Sequence, residues 1–276
     1  MSYWFFRIRS ALAWYFSAST RYDLHSPLLA DFVEKVVRDR RPYHIYELTA
    51  QLREYWKNHP GEVTTLELGA PSKVSSANRR KISELVKHSA ISPDCGRILF
   101  RLALWSEAET IVELGTNAGI STLYLHYADR RAQLHTIEGN PEVAGLARKT
   151  FEIARCRASL HQYVGTFEEL LQPVLDELDR VDLLFVDGDH RYPQAVEYVK
   201  NALPKLHAGS VVVVADIHWS EGMERAWAEL IGLPEVTASL DLYHFGILFF
   251  KPGMTPDQHL TLVNTRWKPW RVGFFS

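Results

Sequence analysis

The chain has 276 residues with 46% hydrophobic and 23% charged side chains, and 31 basic against 33 acidic groups give it a net charge of −2. This composition is ordinary for a soluble globular protein and excludes disordered, collagen-like and coiled-coil chains. A near-zero net charge also argues against bulk electrostatic capture of nucleic acid, so no nucleic-acid partner is expected.

Helical signals dominate the first hundred residues. Ser26 followed by Pro27 is typical of a helix start, with a capping side chain and then a proline at the first helical position. A further helix is predicted over Ile45–Asn58, where a His-Pro-Gly breaker cluster ends the pattern. The remaining predictions for this region are a short strand at Thr64–Leu68, a helix at Ala77–Ser89 and a helix from Ser92 to about Trp105.

The segment Met1–Ser19 is crowded with aromatic side chains around Arg7 and Arg9. Its uninterrupted apolar stretch, Ala11–Phe16, is far shorter than the ~18 residues that span a bilayer, so no transmembrane segment is predicted. Two interpretations stay open. We favour a helix docked on its own domain, and the alternative is an interfacial helix through which residues 1–19 contact a membrane surface.

From Thr110 onward, short apolar runs alternate with amphipathic helices, a pattern typical of a parallel sheet with crossover helices. Val211–Val214 is a continuous β-branched run, as expected of a central strand that is buried on both faces. Strands are predicted at Thr110–Leu114, Gln133–Glu138, Ser159–Val164, Val181–Asp187 and Ser210–Asp216.

Two more apolar runs, Val236–Leu242 and Phe245–Phe250, are separated only by Tyr243 and His244. A connection that short forces an antiparallel hairpin, which we place at the sheet edge. The predicted fold class is therefore α/β, with a Rossmann-like, doubly wound, mostly parallel seven-stranded sheet that ends in an antiparallel hairpin. Residues 1–105 are predicted to form a mostly helical N-terminal extension or cap, and residues 106–276 the sheet domain.

In an open parallel sheet, ligands bind outside the carboxyl ends of the strands. The first predicted strand ends there in a turn with Gly115 and Gly119, which lets a ligand approach the backbone and the next helix N-terminus. Ser121 lies in the first turn of that helix, where its hydroxyl could bind a carboxylate. A tight turn without a ligand explains the glycine pair as well, and the three-glycine dinucleotide fingerprint is missing. The acidic Glu113 beside the turn suits an ammonium-bearing ligand better than a pyrophosphate.

Glu138 stands at the end of the next predicted strand, which is the place for a carboxylate that accepts hydrogen bonds from two ribose hydroxyls. The alternative is a helix N-cap or a first-turn charge. With the glycine turn upstream, ribose binding is the favoured role. Phe167, after the third predicted strand, could flank an adenine ring, although its place in a helical stripe fits core packing equally well.

Four segments together carry a resemblance to a known family: Ile111–Leu125, Thr136–Glu138, Val164–Thr166 and Phe185–His190. They resemble the class I S-adenosylmethionine-dependent methyltransferases, and most closely the small-molecule O-methyltransferases of the catechol type and their bacterial relatives. The resemblance covers about Thr110–Lys251 and leaves the first hundred residues without a matching activity. It implies an S-adenosylmethionine-binding domain at 106–276 that transfers a methyl group to a small-molecule acceptor, at oxygen.

The resemblance also implies a role for each residue at the strand ends. Asp187 would lie beside the methyl-bearing end of the cofactor, and His190 would remove the acceptor proton as a general base. The N-terminal region would cover the cleft, with Trp219 and Tyr192 as candidate wall residues. The methionine part of the cofactor would be bound by Glu113, Gly115, Thr116, Asn117, Gly119 and Ser121, the ribose by Glu138 with Gly139 beside it, and the adenine by Gly165, Thr166 and Phe167.

A divalent metal is the point at which the sequence departs from the family. Catechol-type enzymes hold the ion with the Asp of the fourth strand and an Asp-Asn pair after the fifth, and here Ile217 replaces the Asn. Asp187, Asp216 and His218 could still form a mixed oxygen and nitrogen site, which would favour manganese or another transition ion over magnesium. The alternative is that Asp216 and His218 cap the next helix.

The two cysteines, Cys95 and Cys156, form neither a metal-binding spacing nor a disulfide framework, which indicates a reducing, cytoplasmic compartment and buried packing for both thiols. The predicted function is methyl transfer from S-adenosylmethionine to a small molecule. A nicotinamide-dependent Rossmann oxidoreductase and a non-catalytic nucleoside-binding protein on the same fold stay open as alternatives. A homodimer is a further prediction, and the sequence does not identify the acceptor.

Overall fold

The computed structural model describes residues 3–64, 79–252 and 258–268. Within the described part of the N-terminal extension, helices surround a small antiparallel ribbon of two strands. These elements are α1 (Tyr3–Ser17), α2 (Pro27–Phe32), α3 (His44–Lys57), β1 (Glu62–Thr64), β2 (Arg79–Lys81), α4 (Ile82–Ser89) and α5 (Pro93–Trp105). The predicted helical character of the extension is thus confirmed for these residues.

Helices α2 and α5 begin as the sequence predicts. The hydroxyl of Ser26 accepts a hydrogen bond from the main-chain N–H of Leu29 (3.4 Å), and the hydroxyl of Ser92 accepts one from Cys95 (3.2 Å). A proline follows each capping serine, where a missing N–H costs nothing because the first helical N–H groups have no partner within the helix.

The segment before α4 corrects one prediction. The helix expected over Ala77–Ser89 begins only at Ile82, because Arg79–Lys81 pair with Glu62–Thr64 as the β-ribbon. Of the strand predicted at Thr64–Leu68, Thr64 ends β1, and the other four residues lie outside the described part of the chain.

The second part of the chain alternates strands and helices as predicted. The strands are β3 (Thr110–Leu114), β4 (Gln133–Glu138), β5 (Leu160–Val164), β6 (Leu183–Val186), β7 (Val211–Ala215), β8 (Ala238–Asp241), β9 (Phe245–Phe249) and β10 (Gln258–Thr261). The helices are α6 (Ile120–Ala128), α7 (Pro141–Ile153), α8 (Phe167–Asp176), α9 (Gln194–Ala202) and α10 (Glu221–Ile231). The carboxyl end of each strand from β3 to β7 therefore leads into the loop that precedes a helix, as parallel strands require.

All these strands form one eight-stranded sheet in the order β10-β8-β9-β7-β6-β3-β4-β5. Only β9 runs antiparallel to its neighbours, so the Rossmann-like α/β class and the terminal hairpin are confirmed. The number of strands and the edge position of the hairpin are corrected, because β10 pairs in parallel with β8 and forms the outer edge. Strand β10 is short and only Leu260 of its four residues is apolar, so no strand is predicted there from the sequence.

The sheet is buried on both faces, because successive strand side chains point to opposite sides. Val112 and Val212 pack with α8, α9 and α10 on one face. Ile111 and Val213 pack on the other face, where α2 and α5 of the extension cover them. The extension therefore supplies part of the layer that closes the sheet, and the domain boundary at residue 105 stays a prediction.

Helix α1 is docked on the sheet domain through a buried polar cluster. Ser10, which is 3% exposed, contacts Nδ1 of His218 (3.2 Å) and donates to Glu224. The indole N–H of Trp14 donates to Asp241 (2.9 Å). This arrangement agrees with the favoured interpretation of residues 1–19 as a docked helix.

The opposite face of α1 is apolar and exposed, at Trp4, Phe5, Ile8, Leu12 and Phe16. No helix in the described residues has the length and apolar character needed to cross a bilayer. Contact of the exposed face with a membrane surface stays an untested alternative.

Candidate active site

A cavity of about 180 Å³ opens at the carboxyl ends of β3, β4, β5 and β6. This is the edge at which open parallel sheets bind ligands. The lining residues come from four strand-to-helix loops: Gly115, Asn117, Glu138, Gly139, Asn140, Thr166, Phe167, Glu168, Asp187, Gly188 and Asp189. Seven residues of the predicted cofactor set thus lie around one cavity.

The turn after β3 depends on its first glycine. Gly115 has φ +104°, and a Cβ added to it would lie 2.3 Å from the carbonyl oxygen of Asp187. Only glycine fits this backbone and this approach. Gly119 (φ +80°) does not line the cavity, and a Cβ there would meet the ring of Phe151 at 2.6 Å, so this glycine serves helix packing.

Glu138 is held rigidly at the cavity wall. Its Oε2 accepts the main-chain N–H of Asn117 (2.8 Å), and its Oε1 accepts that of Asn140 (2.9 Å). Burial raises the pKa of Glu138, and the main-chain N–H groups of Asn140, Asn117 and Gly139 oppose that rise. Because a carboxylate can accept about four hydrogen bonds, both oxygens can still receive a ligand hydroxyl.

Glu113 lies beneath the glycine turn and does not line the cavity. It is fully buried and accepts hydrogen bonds from the hydroxyls of Thr122 (2.6 Å) and Thr136 (2.7 Å), while its Oε1 has no partner among the described residues. Burial raises its pKa, and these hydroxyls lower it. The Ser121 hydroxyl also lowers the pKa of Glu113, so this carboxylate supports the glycine turn from inside the domain.

A second, small cavity of about 20 Å³ adjoins this turn. Thr116 and Ser121 of the predicted set line it, together with Ser89 at the end of α4. The side-chain amide of Asn117 donates to the carbonyl oxygen of Ser89 (3.1 Å), so the extension is tied directly to the glycine turn.

The loop after β5 forms the opposite wall of the first cavity. Thr166 caps α8, with its hydroxyl accepting the N–H of Glu169 (3.3 Å), and Phe167 packs edge-on against Tyr198 at 5.5 Å. A Cβ on Gly188 would lie 2.7 Å from the Phe167 ring, so this glycine leaves room for the aromatic wall. Gly165 was predicted to bind the adenine together with Thr166 and Phe167, but unlike these two residues it does not line the cavity.

A third cavity, of about 500 Å³, shares Asn117 and Asp187 with the other two. Half of its wall belongs to the sheet domain, including His190, Asp216 and Trp219, and the rest to the extension. The extension thus forms part of the cavity wall, and Trp219 lies where it was expected. Tyr192 does not line this cavity, since its hydroxyl donates to Glu229 (3.0 Å) on the surface of α10.

His190 stands between two carboxylates at the junction of the cavities. Its Nε2 lies 3.9 Å from Oδ1 of Asp187 and 3.9 Å from Oδ2 of Asp216. Burial lowers the pKa of His190, although Asp216 and Asp189 oppose that effect, so the imidazole is neutral at pH 7. Burial raises the pKa of Asp187 well above its usual value, and the charges of Asp216 and Glu113 raise it further.

The structure corrects the predicted metal set. The Nδ1 of His218 pairs with Glu224 (3.0 Å) and its Nε2 with Asp241 (2.9 Å), so neither ring nitrogen is available beside Asp187 and Asp216. Within residues 3–64, 79–252 and 258–268, no three His, Cys, Asp or Glu side chains are grouped as metal ligands. The residues present therefore do not fit the predicted divalent site, because among the described residues no third side chain is placed to join Asp187 and Asp216 as a ligand.

Burial makes the thiols of Cys95 and Cys156 unreactive. Burial raises the pKa of Cys95 to about 11 and that of Cys156 to about 12. Neither forms a disulfide. Cys95 lines the third cavity, but a protonated thiol is a poor nucleophile, which agrees with packing roles for both residues.

Some residues that line the cavities were not predicted from the sequence. Gly188 and Asp189 lie inside the segment that carried the family resemblance, so position alone could have identified them. Asn140 follows Glu138 directly and caps α7 through its side chain. Arg7 and Arg80 of the extension also line the third cavity. No local pattern connects these two residues to strand ends that are distant in sequence.

The family described as a methyltransferase domain matches residues 112–217. A catechol O-methyltransferase from Niastella koreensis is 30% identical over 130 residues, which cover 46% of this chain and 58% of that protein. The chain spans between 58% and 64% of the length of the curated relatives it matches.

Two solved structures share the fold. The O-methyltransferase TomG from Streptomyces achromogenes, in complex with SAM, aligns with a TM-score of 0.55 at 23% identity over 76% of this chain and 91% of that one. The O-methyltransferase from Bacillus cereus, in complex with SAH, aligns with a TM-score of 0.55 at 18% identity over 80% and 96%. Residues 112–217 of this chain are similar to the methyltransferase-domain family, and the two solved structures share its fold.

Proposed function

We propose that the chain is an enzyme that transfers the methyl group of S-adenosylmethionine to a hydroxyl oxygen of a small molecule. The observation that carries the proposal is the meeting of three cavities at Asn117 and Asp187. One cavity carries a carboxylate placed for a ribose, one adjoins the glycine turn, and one is large enough for an acceptor. The relatives, which are O-methyltransferases, support this proposal over a nicotinamide-dependent oxidoreductase.

The residues present fit the cofactor. Glu138 would hold the ribose hydroxyls, and Phe167 would pack against the adenine. The glycine turn and the small cavity beside Ser121 would receive the methionine part, with Glu113 buried beneath them. When bound, the cofactor supplies the reactive methyl group, and the chain has to bind, orient and exclude water.

His190 would act as the general base. It is neutral at pH 7 and lines the acceptor cavity next to Asp187. The acceptor oxygen forms a bond to the methyl carbon while the carbon–sulfur bond breaks and its electron pair stays on sulfur. The hydroxyl proton passes to His190, where Asp216 stabilises the imidazolium that forms. No step is assigned to a metal, since the donor set does not fit one.

Calorimetric titration with S-adenosylmethionine and S-adenosylhomocysteine tests the proposal. We expect both to bind, and NAD not to bind. Absence of binding by both sulfur nucleosides, or preference for NAD, would remove the proposed function. Loss of methyl transfer with retained binding, across a broad panel of acceptors, would favour the non-catalytic alternative. A cytoplasmic location and a homodimer stay predictions, which fractionation and light scattering can test.

A further inference from the structure

Arg80 is a buried cation that forms no salt bridge with a carboxylate among the described residues. It lies on β2, is 9% exposed and lines the 500 Å³ cavity. Its Nη1 donates to the hydroxyl of Ser89 (3.0 Å) and its Nη2 to the carbonyl oxygen of Glu84 (3.2 Å), while Nε has no partner among the described residues. The carboxylate of Glu84 pairs with His88 instead (3.1 Å). The charge of Glu84 acts on Arg80 without forming an ion pair, so an anionic ligand in the cavity would stabilise this buried cation.

Arg7 brings a second guanidinium group to the same cavity from α1. Its guanidinium carbon lies 5.0 Å from the centre of the Trp219 ring, where an aromatic face stabilises a cation. No salt bridge joins Arg7 to a carboxylate within the described part of the chain. Two arginines of the extension therefore line a cavity whose volume is typical of small-molecule sites.

The reacting end of the cavity has the opposite charge. Asp187 and Asp216 both lie 3.9 Å from His190. An anionic group of the acceptor would be repelled there, whereas a neutral hydroxyl would not. The charge distribution therefore orients an anionic acceptor, with its hydroxyl toward His190 and its anionic group toward the arginines.

We propose that the acceptor carries an anionic group, a carboxylate or a phosphate, which Arg80 binds with the support of Arg7. The inference rests on the proposed function and names the substrate class of the same site. A guanidinium group suits either anion, since it donates two parallel hydrogen bonds to their oxygens. The extension, to which the family resemblance assigns no activity, then determines which acceptors are selected.

The test is calorimetric titration of the full chain saturated with S-adenosylhomocysteine. Benzoate and phenyl phosphate are the anionic probes, and benzamide is the neutral isostere of benzoate. We expect at least one anion to bind at least tenfold more tightly than benzamide, and the tighter anion identifies the acceptor class. Arg80→Gln should weaken that anion roughly tenfold or more, and Arg80→Lys should weaken it less.

Arg79→Gln is the matched control, because Arg79 neighbours Arg80 on β2 but has a 68% exposed side chain paired with Glu62. It should leave anion affinity unchanged. The inference is overturned if neither anion binds, if benzamide binds as tightly, or if Arg80→Gln binds the anion like the wild type.

A fall in the affinity of Arg80→Gln for S-adenosylhomocysteine, absent in Arg79→Gln, also overturns the inference, because Arg80 would then hold the carboxylate of the cofactor. If Arg80→Gln does not fold, the inference is decided by two other results. These are the affinity of the wild type for the anion relative to benzamide, and the anion affinity of Arg80→Lys. If the wild type binds no sulfur nucleoside, the proposed function fails, and the same anion titration without nucleoside still decides the role of Arg80.

Discussion

Gly115 approaches Asp187 so closely that a Cβ on the glycine would lie 2.3 Å from the aspartate carbonyl oxygen. The backbone there also has φ +104°, which side-chain-bearing residues rarely adopt. We therefore expect Gly115→Ala to lower the free energy of unfolding by roughly 1–3 kcal/mol and to weaken nucleoside binding. Chemical denaturation measures the first effect and calorimetry the second.

Gly145→Ala is the matched control. Gly145 lies inside α7, and a Cβ there would meet nothing within 4 Å. Alanine in a helix interior is more stable than glycine by about 0.5–1 kcal/mol, so this variant should gain stability and keep its affinity. Equal stability losses in both variants would mean that the close approach to Asp187 has no special cost.

The proposed role of Glu138 in ribose binding can be tested by substitution. Glu138→Ala should lower the affinity for S-adenosylhomocysteine roughly ten- to a hundredfold, because charge-assisted hydrogen bonds to two hydroxyls are lost. Glu197→Ala, at an exposed position on α9, should leave the affinity unchanged. Calorimetry measures both, and an unaltered Glu138→Ala affinity would contradict the ribose assignment.

His190 should affect turnover and not cofactor binding. Removal of a general base typically costs about 10²–10⁴ in rate, so His190→Ala should lower kcat by that order. Its affinity for S-adenosylhomocysteine should stay within a few-fold of the wild type. A large loss of affinity would show that His190 supports the cavity and does not carry the proton.

The pH profile of the wild type follows from the same residue. Burial lowers the pKa of His190 below its usual 6.5, so the base is neutral above that pH and becomes protonated only in more acidic solution. The rate should therefore be flat above about pH 6.5 and fall at lower pH. In His190→Gln the acidic fall should disappear from the residual rate, and its persistence would point to another group.

Most strands of the sheet were predictable because short segments with apolar residues alternate with amphipathic helices. Thr110–Leu114 and Gln133–Glu138 have the predicted bounds. Strand β10 was not predictable, because a four-residue segment with one apolar residue becomes a strand only through its pairing with β8. Arg79–Lys81 likewise form a strand because β1 pairs with them, against their local helical pattern.

Some residues of the candidate site were likewise predictable from the sequence, and others were not. Glu138 and Asp187 were predictable, since parallel strands deliver their carboxyl ends to one edge. The orientation of His218 was not, although it lies only two residues from Asp216. The backbone at Asp216 has φ +54°, and beyond it the imidazole stacks on Tyr243 and contacts α1. The role of Arg80 depends on long-range packing, which no local spacing encodes.

The stability of the fold around His218 should depend on pH. Burial alone would lower the pKa of His218, but Asp241 and Glu224 raise it overall above 6.5. A raised pKa in the folded state means that the stabilisation is fully present below about pH 6.5 and is lost as pH rises through the folded value.

Chemical denaturation at several pH values measures this effect. The free energy of unfolding should fall toward alkaline pH in the wild type. His218→Asn should remove this dependence, and a wild-type profile without any pH dependence would show that His218 does not carry the linkage.

Whether the protein binds a divalent metal can also be measured. Ile217 is fully buried, and both nitrogens of His218 are bonded to carboxylates. We therefore expect titration with Mn²⁺ or Mg²⁺ to give no saturable binding below millimolar concentration, and EDTA to leave methyl transfer unchanged. Tight binding that disappears in Asp216→Asn would show that the two aspartates recruit a third ligand.

Residues near the beginning and the end of the described chain are hydrogen-bonded to each other beside strand β10. The main-chain N–H of Ser19 donates to Thr261 (2.7 Å), and that of Val263 donates to Ser19 (2.9 Å). Next to Leu262 the rim of the sheet is thereby closed to strands of other molecules, because Ser19 and Leu262 form a parallel bridge there. Release of either terminus would open this rim, and exchange of the strand between two copies would then compete with correct closure.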